Sequence, residues 1–134
     1  MANFAILDDN DQVIDIINID NTILLDPLDN VEKEINGINY ILSLNPNLKK
    51  ENIIQTSFNM NFRGLFAEIG LYYIRSENSF AKFKNPLYPS WKLNKFYGRW
   101  MPPKEMPDKD PNLIQWDENK KEWVDIDKKQ RYSI

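Results

Sequence analysis

The stretch that decides the fold is Ala2–Ile19, ANFAILDDNDQVIDIINI, in which two apolar runs flank a short polar segment. The runs, Ala2–Leu7 and Val13–Ile19, are rich in β-branched and other apolar residues. The segment DDNDQ between them consists of residues that accept turn conformations and hydrogen-bond their own backbone. The pattern predicts a β-hairpin. Because the second run is apolar on both faces, we expect it to be the central strand of a sheet.

A helix is predicted after the turn at Asp26-Pro27. Asp29 or Asn30 can accept hydrogen bonds from the free N–H groups of a helix start, and Asn45-Pro46 ends the run. Apolar residues follow at helical spacing, at Val31, Ile35, Ile38 and Leu42. The segment is therefore expected to pack one apolar stripe on the first sheet.

Short strands and turns follow the helix. Ile53–Phe58 is a strand candidate, and Leu71–Phe83 is predicted to be an aromatic-rich hairpin. Five prolines between Pro86 and Asp108 predict an extended, stiff backbone, since each ring fixes φ and restricts the preceding residue. We therefore predict an α+β fold: a compact unit of residues 1–84 with an N-terminal β-hairpin, a helix and short antiparallel strands, then a Pro/Trp-rich extended arm of residues 85–134.

All four tryptophans fall in two short segments of this arm, WKLNKFYGRW and QWDENKKEW. Both read as hairpins, and they look like two variants of one unit in which tryptophans flank a polar turn. Aromatic pairs across such strands stabilise by about 0.5–1 kcal/mol each beyond their burial. Because an isolated hairpin is marginal in water, the arm is expected to dock on the N-terminal unit or on a neighbouring subunit.

The residue inventory excludes most enzymatic chemistry. The chain has no histidine and no cysteine, so it lacks the usual Ser–His and Cys–His dyads and the cysteine or histidine ligands of zinc sites. Asp108–Asn112 begins like a calcium loop, but Leu113 and Asn119 stand where glycine and glutamate would be needed. Adjacent acids such as Asp117 and Glu118 lie on a polar turn rather than across a cleft. We expect no catalytic residue, no metal and no cofactor.

Charge and hydropathy limit the partners. A net charge of −3 argues against a general nucleic-acid binder, which would gather lysine and arginine to neutralise phosphates. No apolar run approaches the length of a membrane span, and the N-terminus lacks the pattern of a signal peptide. We expect a complete, soluble chain that binds neither nucleic acid directly nor a membrane.

Six segments carry a resemblance to a known family. They occur in the family's order and with its spacing, and they are NIIQTSFNM (52–60), AEIGLYY (67–73), NSFAKF (78–83), LYPSWKLN (87–94), GRWMPP (98–103) and IQWDENKKEW (114–123). The chain resembles small uncharacterised virion proteins of tailed phages that infect marine bacteria. KFYG occupies a turn that is usually acidic in that family, so Phe96 and Tyr97 are candidates for a contact surface particular to this chain.

The resemblance implies a structural protein of a phage particle, assembled in the host cytoplasm and present in many copies beside other virion proteins. A capsid decoration or cement component is the first expectation, and a tail, baseplate or fibre-attachment component is the second. An alternative of another class is a carbohydrate-binding module with an aromatic platform. The predicted interface comprises Tyr88, Pro89, Trp91, Phe96, Tyr97, Trp100, Trp116 and Trp123.

Overall fold

The computed structural model of the chain describes residues 1–126, so the end of the predicted arm, residues 127–134, lies outside the described residues. The described part contains one α-helix and many short strands arranged in small sheets. The predicted α+β class is confirmed at this level. Four short 3-10 turns complete the elements, at Asn21–Leu24, Lys50–Asn52, Arg75–Glu77 and Pro111–Leu113.

A three-stranded antiparallel sheet forms the centre of the N-terminal part. Its strands are β1 (Ala2–Leu7), β2 (Val13–Ile19) and β3 (Ile53–Thr56), in the order β2-β1-β3. The turn between β1 and β2 is closed by the Asp8 carboxylate, which accepts the backbone N–H groups of residues 10 and 12 at 2.9 Å. The acidic turn residues thus supply the hydrogen bonds that the chain reversal requires.

The central strand is β1, and the prediction that β2 would be central is wrong. Every residue of β1 is buried, whereas Ile14 in β2 is 51% exposed. The difference arises from the third strand, because β3 pairs with the free edge of β1 across a long sequence separation. Ile16 and Ile17 each pack at the margin of a core cluster, which explains why β2 is apolar on both faces without being central.

The helix α1 (Glu34–Leu44) covers one face of the sheet. It approaches β1 closely at Gly37, where an added Cβ would overlap the Phe4 ring. Ile38 and Ile41 are buried beneath it, with Phe4 fully buried opposite. A larger residue at this glycine would require the Phe4 ring or the helix to shift within a close-packed core.

The helix begins later than predicted, at Glu34 rather than after Asp29 or Asn30. Those two residues belong instead to a hydrogen-bonded loop, in which Asn30 has φ 59°. Val31 therefore lies outside the helix and is exposed. Asp and Asn accept backbone N–H groups equally well in turns and at helix starts, so the sequence signal was ambiguous between the two.

The opposite face of the sheet is covered by a hairpin of β4 (Tyr72–Ile74) and β5 (Ser79–Ala81). Phe80 is fully buried and packs in one cluster with Ala5 of β1 and Tyr73 of β4. Because the helix and the hairpin lie on opposite faces, β1 is enclosed on both sides.

Two further two-stranded sheets complete the described chain. They are formed by β6 (Lys92–Asn94) with β7 (Arg99–Met101), and by β8 (Ile114–Asp117) with β9 (Glu122–Asp125). The chain divides into two compact units: residues 1–83 with 94–99, and residues 84–93 with those from 100 onward. The predicted division into residues 1–84 and 85–134 stays a prediction.

One edge of the central sheet is closed by side chains. The backbone N–H of Gln55 in β3 donates to the Glu34 carboxylate at 2.7 Å, and the Gln55 carbonyl accepts from the Arg63 guanidinium at 2.9 Å. Arg63 and Glu34 also form a two-pronged ion pair with side chains 20% and 30% exposed. The pair satisfies the peptide groups that a further strand would otherwise pair with.

Replacing Arg63 by methionine should remove this closure, leaving the Gln55 carbonyl without its donor and the Glu34 carboxylate with only the Gln55 N–H. We expect the free energy of unfolding to fall by about 1–3 kcal/mol, measured by urea denaturation. Lys49→Met is the matched control, because its ion pair with Asp9 is solvent-exposed and should contribute almost nothing. Equal midpoints for wild type and Arg63→Met would contradict the proposed role of the pair.

Candidate functional site

The predicted interface residues fall into two sets, one in each compact unit. Phe96 and Tyr97 belong to the first unit, and the other six belong to the second: Tyr88, Pro89, Trp91, Trp100, Trp116 and Trp123.

The second unit contains a cluster of aromatic rings in contact, the Trp cluster, formed by Tyr88, Trp91, Trp116 and Trp123. Tyr88 lies nearly parallel to Trp91 with ring centroids 4.8 Å apart. Trp116 meets Trp91 edge-on at 6.1 Å and Trp123 edge-on at 5.5 Å. All four rings are half-buried. Aromatic rings at these distances and angles attract one another through their quadrupoles as well as by burial.

The four tryptophans do not occupy equivalent places in the two hairpins, unlike the prediction of two variants of one unit. Trp116 and Trp123 are directly paired across β8 and β9. Trp91 instead lies one residue before β6, while Trp100 lies in the middle of β7 with the Lys84 ammonium 4.5 Å from its ring. The side chain of Lys84 also donates to the carbonyl of Pro89, at 3.2 Å.

A carboxylate fixes the Trp cluster. Glu118 accepts hydrogen bonds from the Ser90 hydroxyl at 2.7 Å and from the Trp116 indole N–H at 3.1 Å. Burial raises the pKa of Glu118, but these two hydrogen bonds and others outweigh it, so the pKa lies below its ordinary value. The Trp123 indole N–H donates to the Lys104 carbonyl at 3.0 Å. Both Trp116 and Trp123 are thus held in orientation by polar contacts.

Glu118→Ala should loosen the Trp cluster, because Ser90 and Trp116 lose their common acceptor. We expect a red shift of the tryptophan emission and a lower thermal midpoint followed by that emission. The control is Glu105→Ala, at an exposed position.

The wild-type protein should lose the stabilisation that the Glu118 carboxylate gives to the Trp cluster when the solution is acidified. A carboxylate whose pKa is lowered in the folded state stabilises it fully above the unfolded pKa, about 4.3, and loses that contribution as the pH falls through the folded pKa. An emission spectrum unaffected by Glu118→Ala would contradict the assigned role.

The first unit carries an open apolar depression, here called the groove, of about 610 Å³. Its walls come from two separate parts of the sequence, and its lining consists of Asn59, Met60, Asn61, Phe62, Gly64, Leu65, Lys95, Phe96 and Tyr97. Large apolar side chains are unusually accessible here: Phe96 is 80% exposed and Met60 is 57% exposed. Exposed apolar surface of this kind marks binding sites more often than an inert surface.

One wall of the groove is a rigid turn. The Asn94 side chain accepts the backbone N–H groups of Phe96 and Tyr97 at 3.0 and 3.1 Å, and the Asn94 carbonyl accepts that of Gly98 at 2.8 Å. Gly98 has φ 63°, and an added Cβ there would overlap Leu65. The backbone of the turn is therefore fixed although its aromatic side chains are exposed.

The opposite wall was missed by sequence reasoning. It comes from the stretch FNMNF, where Met60 and Phe62 point into the groove and Phe58, 70% exposed, lies edge-on against Phe66 at 5.3 Å. The regular alternation of apolar residues with asparagine was the available signal. It resembles the end of a strand, whereas Met60 and Arg63 have positive φ and the segment is an irregular loop.

A second exposed feature of the first unit is the loop of residues 26–32, here called the acidic loop. Leu28 at its tip is 94% exposed, and Val31 is 53% exposed. The loop is closed by hydrogen bonds from the N–H of Asp26 to the Val31 carbonyl at 2.9 Å and from the N–H of Asn30 to the Asp26 carbonyl at 2.8 Å. The leucine is therefore presented by an ordered backbone.

Two carboxylates of the acidic loop, those of Asp26 and Asp29, have pKa values below their ordinary value. The backbone N–H of Leu28 and then the Lys33 ammonium lower the pKa of Asp26. Lys33, followed by the N–H of Val31, lowers the pKa of Asp29. The loop carries Glu32 as well, so its three acids outnumber the single neighbouring lysine.

Residues 1–126 hold no group of three acidic side chains placed to bind a metal ion. Within the same range, α1 and the 3-10 turns are too short or too polar to cross a membrane. No protein-family model, curated protein or solved structure matches the chain.

Proposed function

We propose that this protein is a structural component of a tailed-phage particle and acts by packing against other proteins of the virion. A capsid decoration or cement component is the first assignment, and a tail, baseplate or fibre-attachment component is the second. The proposed location is the virion, after assembly in the host cytoplasm. The proposed architecture is a compact N-terminal unit followed by an arm with two tryptophan-bearing hairpins.

The groove is the observation that best supports a role in packing against other proteins. Its aromatic side chains stand on a rigid backbone yet remain exposed, as with Phe96 at 80% and Tyr97 at 53%. Burying such rings against a partner gives about 1.5–3 kcal/mol each, and a fixed backbone keeps the entropic cost of binding low. A protein that works by assembly needs surfaces of this kind.

The resemblance of six ordered segments to phage virion proteins supports the particle rather than another assembly. The segment LYPSWKLN contributes Tyr88, Ser90 and Trp91 to the second unit, and IQWDENKKEW contributes Trp116, Glu118 and Trp123. Two of the six segments that carry the resemblance thus supply the Trp cluster and its carboxylate.

The carbohydrate-binding alternative is less well supported by the ring geometry. A sugar platform presents free ring faces in a row. In the Trp cluster, Tyr88 lies flat against Trp91, and Trp116 stands edge-on between Trp91 and Trp123. The rings thus pack against one another rather than in a row, which favours a packing role.

Phe96→Ser should reduce incorporation of the protein into particles about tenfold or more, because a buried phenylalanine is worth more than the 1.4 kcal/mol that a tenfold change requires. Copy number is measured by quantitative mass spectrometry of purified particles. Leu44→Ser is the control, since Leu44 is 68% exposed at the end of α1 and does not line the groove. Electron microscopy of the wild-type particle should locate the protein on the capsid exterior; absence from particles would refute the assignment.

Titration with soluble glycans separates the two classes of function. A packing protein should show no change in tryptophan emission across a broad glycan panel. A saturable shift, lost in Trp91→Ala or Trp116→Ala, would establish the carbohydrate-binding alternative instead.

A further inference from the structure

We propose that the acidic loop of one copy of this chain docks into the groove of a second copy, with Leu28 as the anchor. The proposed function does not say which protein binds the groove, and the partner proposed here is a second copy of the chain. The biological purpose of this contact rests on the proposed function. Both surfaces lie in the first compact unit and are visible in a single chain.

The shape of the acidic loop suits an anchor. Leu28 is 94% exposed, although leucine is a residue that gains from burial. Asp26 holds the loop in place, because its carboxylate accepts the N–H of Leu28 at 2.9 Å and lies 3.1 Å from the Lys33 ammonium. Asp29 also contacts that ammonium, at 2.9 Å. An anchor on such a backbone pays little ordering entropy when it binds.

The groove suits an aliphatic anchor with acidic neighbours. Its walls are apolar and aromatic, through Met60, Phe62, Phe96 and Tyr97. Its edge carries Lys95, whose contact with Glu77 is long, at 3.7 Å, and exposed. The guanidinium of Arg99 lies 5.4 Å from the Tyr97 ring. The groove therefore offers apolar surface beside two cations.

The charges of the chain are arranged to favour this pairing. Residues 1–34 hold nine carboxylates against one lysine, a balance of −8. Residues 82–104 hold six lysines and arginines and no acid. Within the first unit, a second copy therefore brings Asp29 and Glu32 of its loop towards Lys95 and Arg99. Opposite charges at the edge of an apolar contact steer association and select its orientation.

A contact between two different surfaces is heterologous. One copy uses its loop and the next uses its groove, so a pair of copies keeps one free groove on the first copy and one free loop on the second. Such contacts close into rings or extend into arrays, and many weak contacts in an array reinforce one another. This is the behaviour expected of a component present in many copies.

The test mixes two variants of the full chain. Leu28→Ser removes the anchor and keeps the groove, whereas Phe96→Ser damages the groove and keeps the anchor. Sedimentation velocity should show wild-type association that grows with concentration up to about 1 mM, a range that detects binding free energies near −4 kcal/mol. Each variant alone should sediment as a monomer. Their equimolar mixture should form dimers and nothing larger.

The controls distinguish this contact from non-specific hydrophobic association. Leu44→Ser removes an equally apolar, 68% exposed leucine and should associate like the wild type. Lys95→Glu should weaken association at least tenfold through repulsion of the loop carboxylates. Circular dichroism confirms that Leu28→Ser is folded, as expected for a side chain that is 94% exposed.

Three results would each overturn the proposal: a wild type that stays monomeric to about 1 mM, a Leu28→Ser variant that associates like the wild type, or a mixture that forms no dimer. The virion assignment fails separately, through absence of the protein from purified particles. A monomeric wild type would leave that assignment untouched.

Discussion

The structure depends on the enclosure of β1. Strand pairing with β2 and β3 closes both of its edges, and α1 and the β4–β5 hairpin close both of its faces. Alternate residues of this one short strand therefore supply two separate cores: Phe4 anchors the helix side, and Ala5 contacts the hairpin side. Because protein interiors are close-packed, each side fixes the position of the strand for the other. The helix lies close to the sheet at Gly37, where an added Cβ would overlap the Phe4 ring.

The local parts of this fold were predictable from the sequence, and the non-local parts were not. The acidic turn after Leu7 was predictable, since the Asp8 carboxylate accepts hydrogen bonds from backbone groups two and four residues further along the chain. The choice of β1 as central strand depended on β3, which the chain reaches only after the helix. The helix start was predicted too early because the Asp29 carboxylate accepts the N–H of Val31 within a loop rather than capping a helix. The residue type predicted that an Asp side chain would accept a backbone N–H, but not whether that N–H would belong to a turn or to a helix start.

The candidate sites show the same division. Composition singled out the aromatic residues, and Trp116 and Trp123 are paired in neighbouring strands as their spacing suggested. Composition could not show that Phe96 would line the same groove as Met60, because the groove joins segments more than thirty residues apart. One wall of the groove, the aromatic turn, was therefore predicted from the sequence. The other wall could be identified only from the structure.

The return of residues 94–99 to the first unit has a genetic consequence. The chain leaves that unit after Phe83 and comes back to it for six residues, where Gly98 fits against Leu65 and accepts the N–H of Lys82 at 2.7 Å. A crossover between related genes at residue 84 would combine one lineage's Leu65 with another lineage's turn. The segment around residue 65 and the turn must be inherited together, so the C-terminal part cannot be exchanged as an independent module.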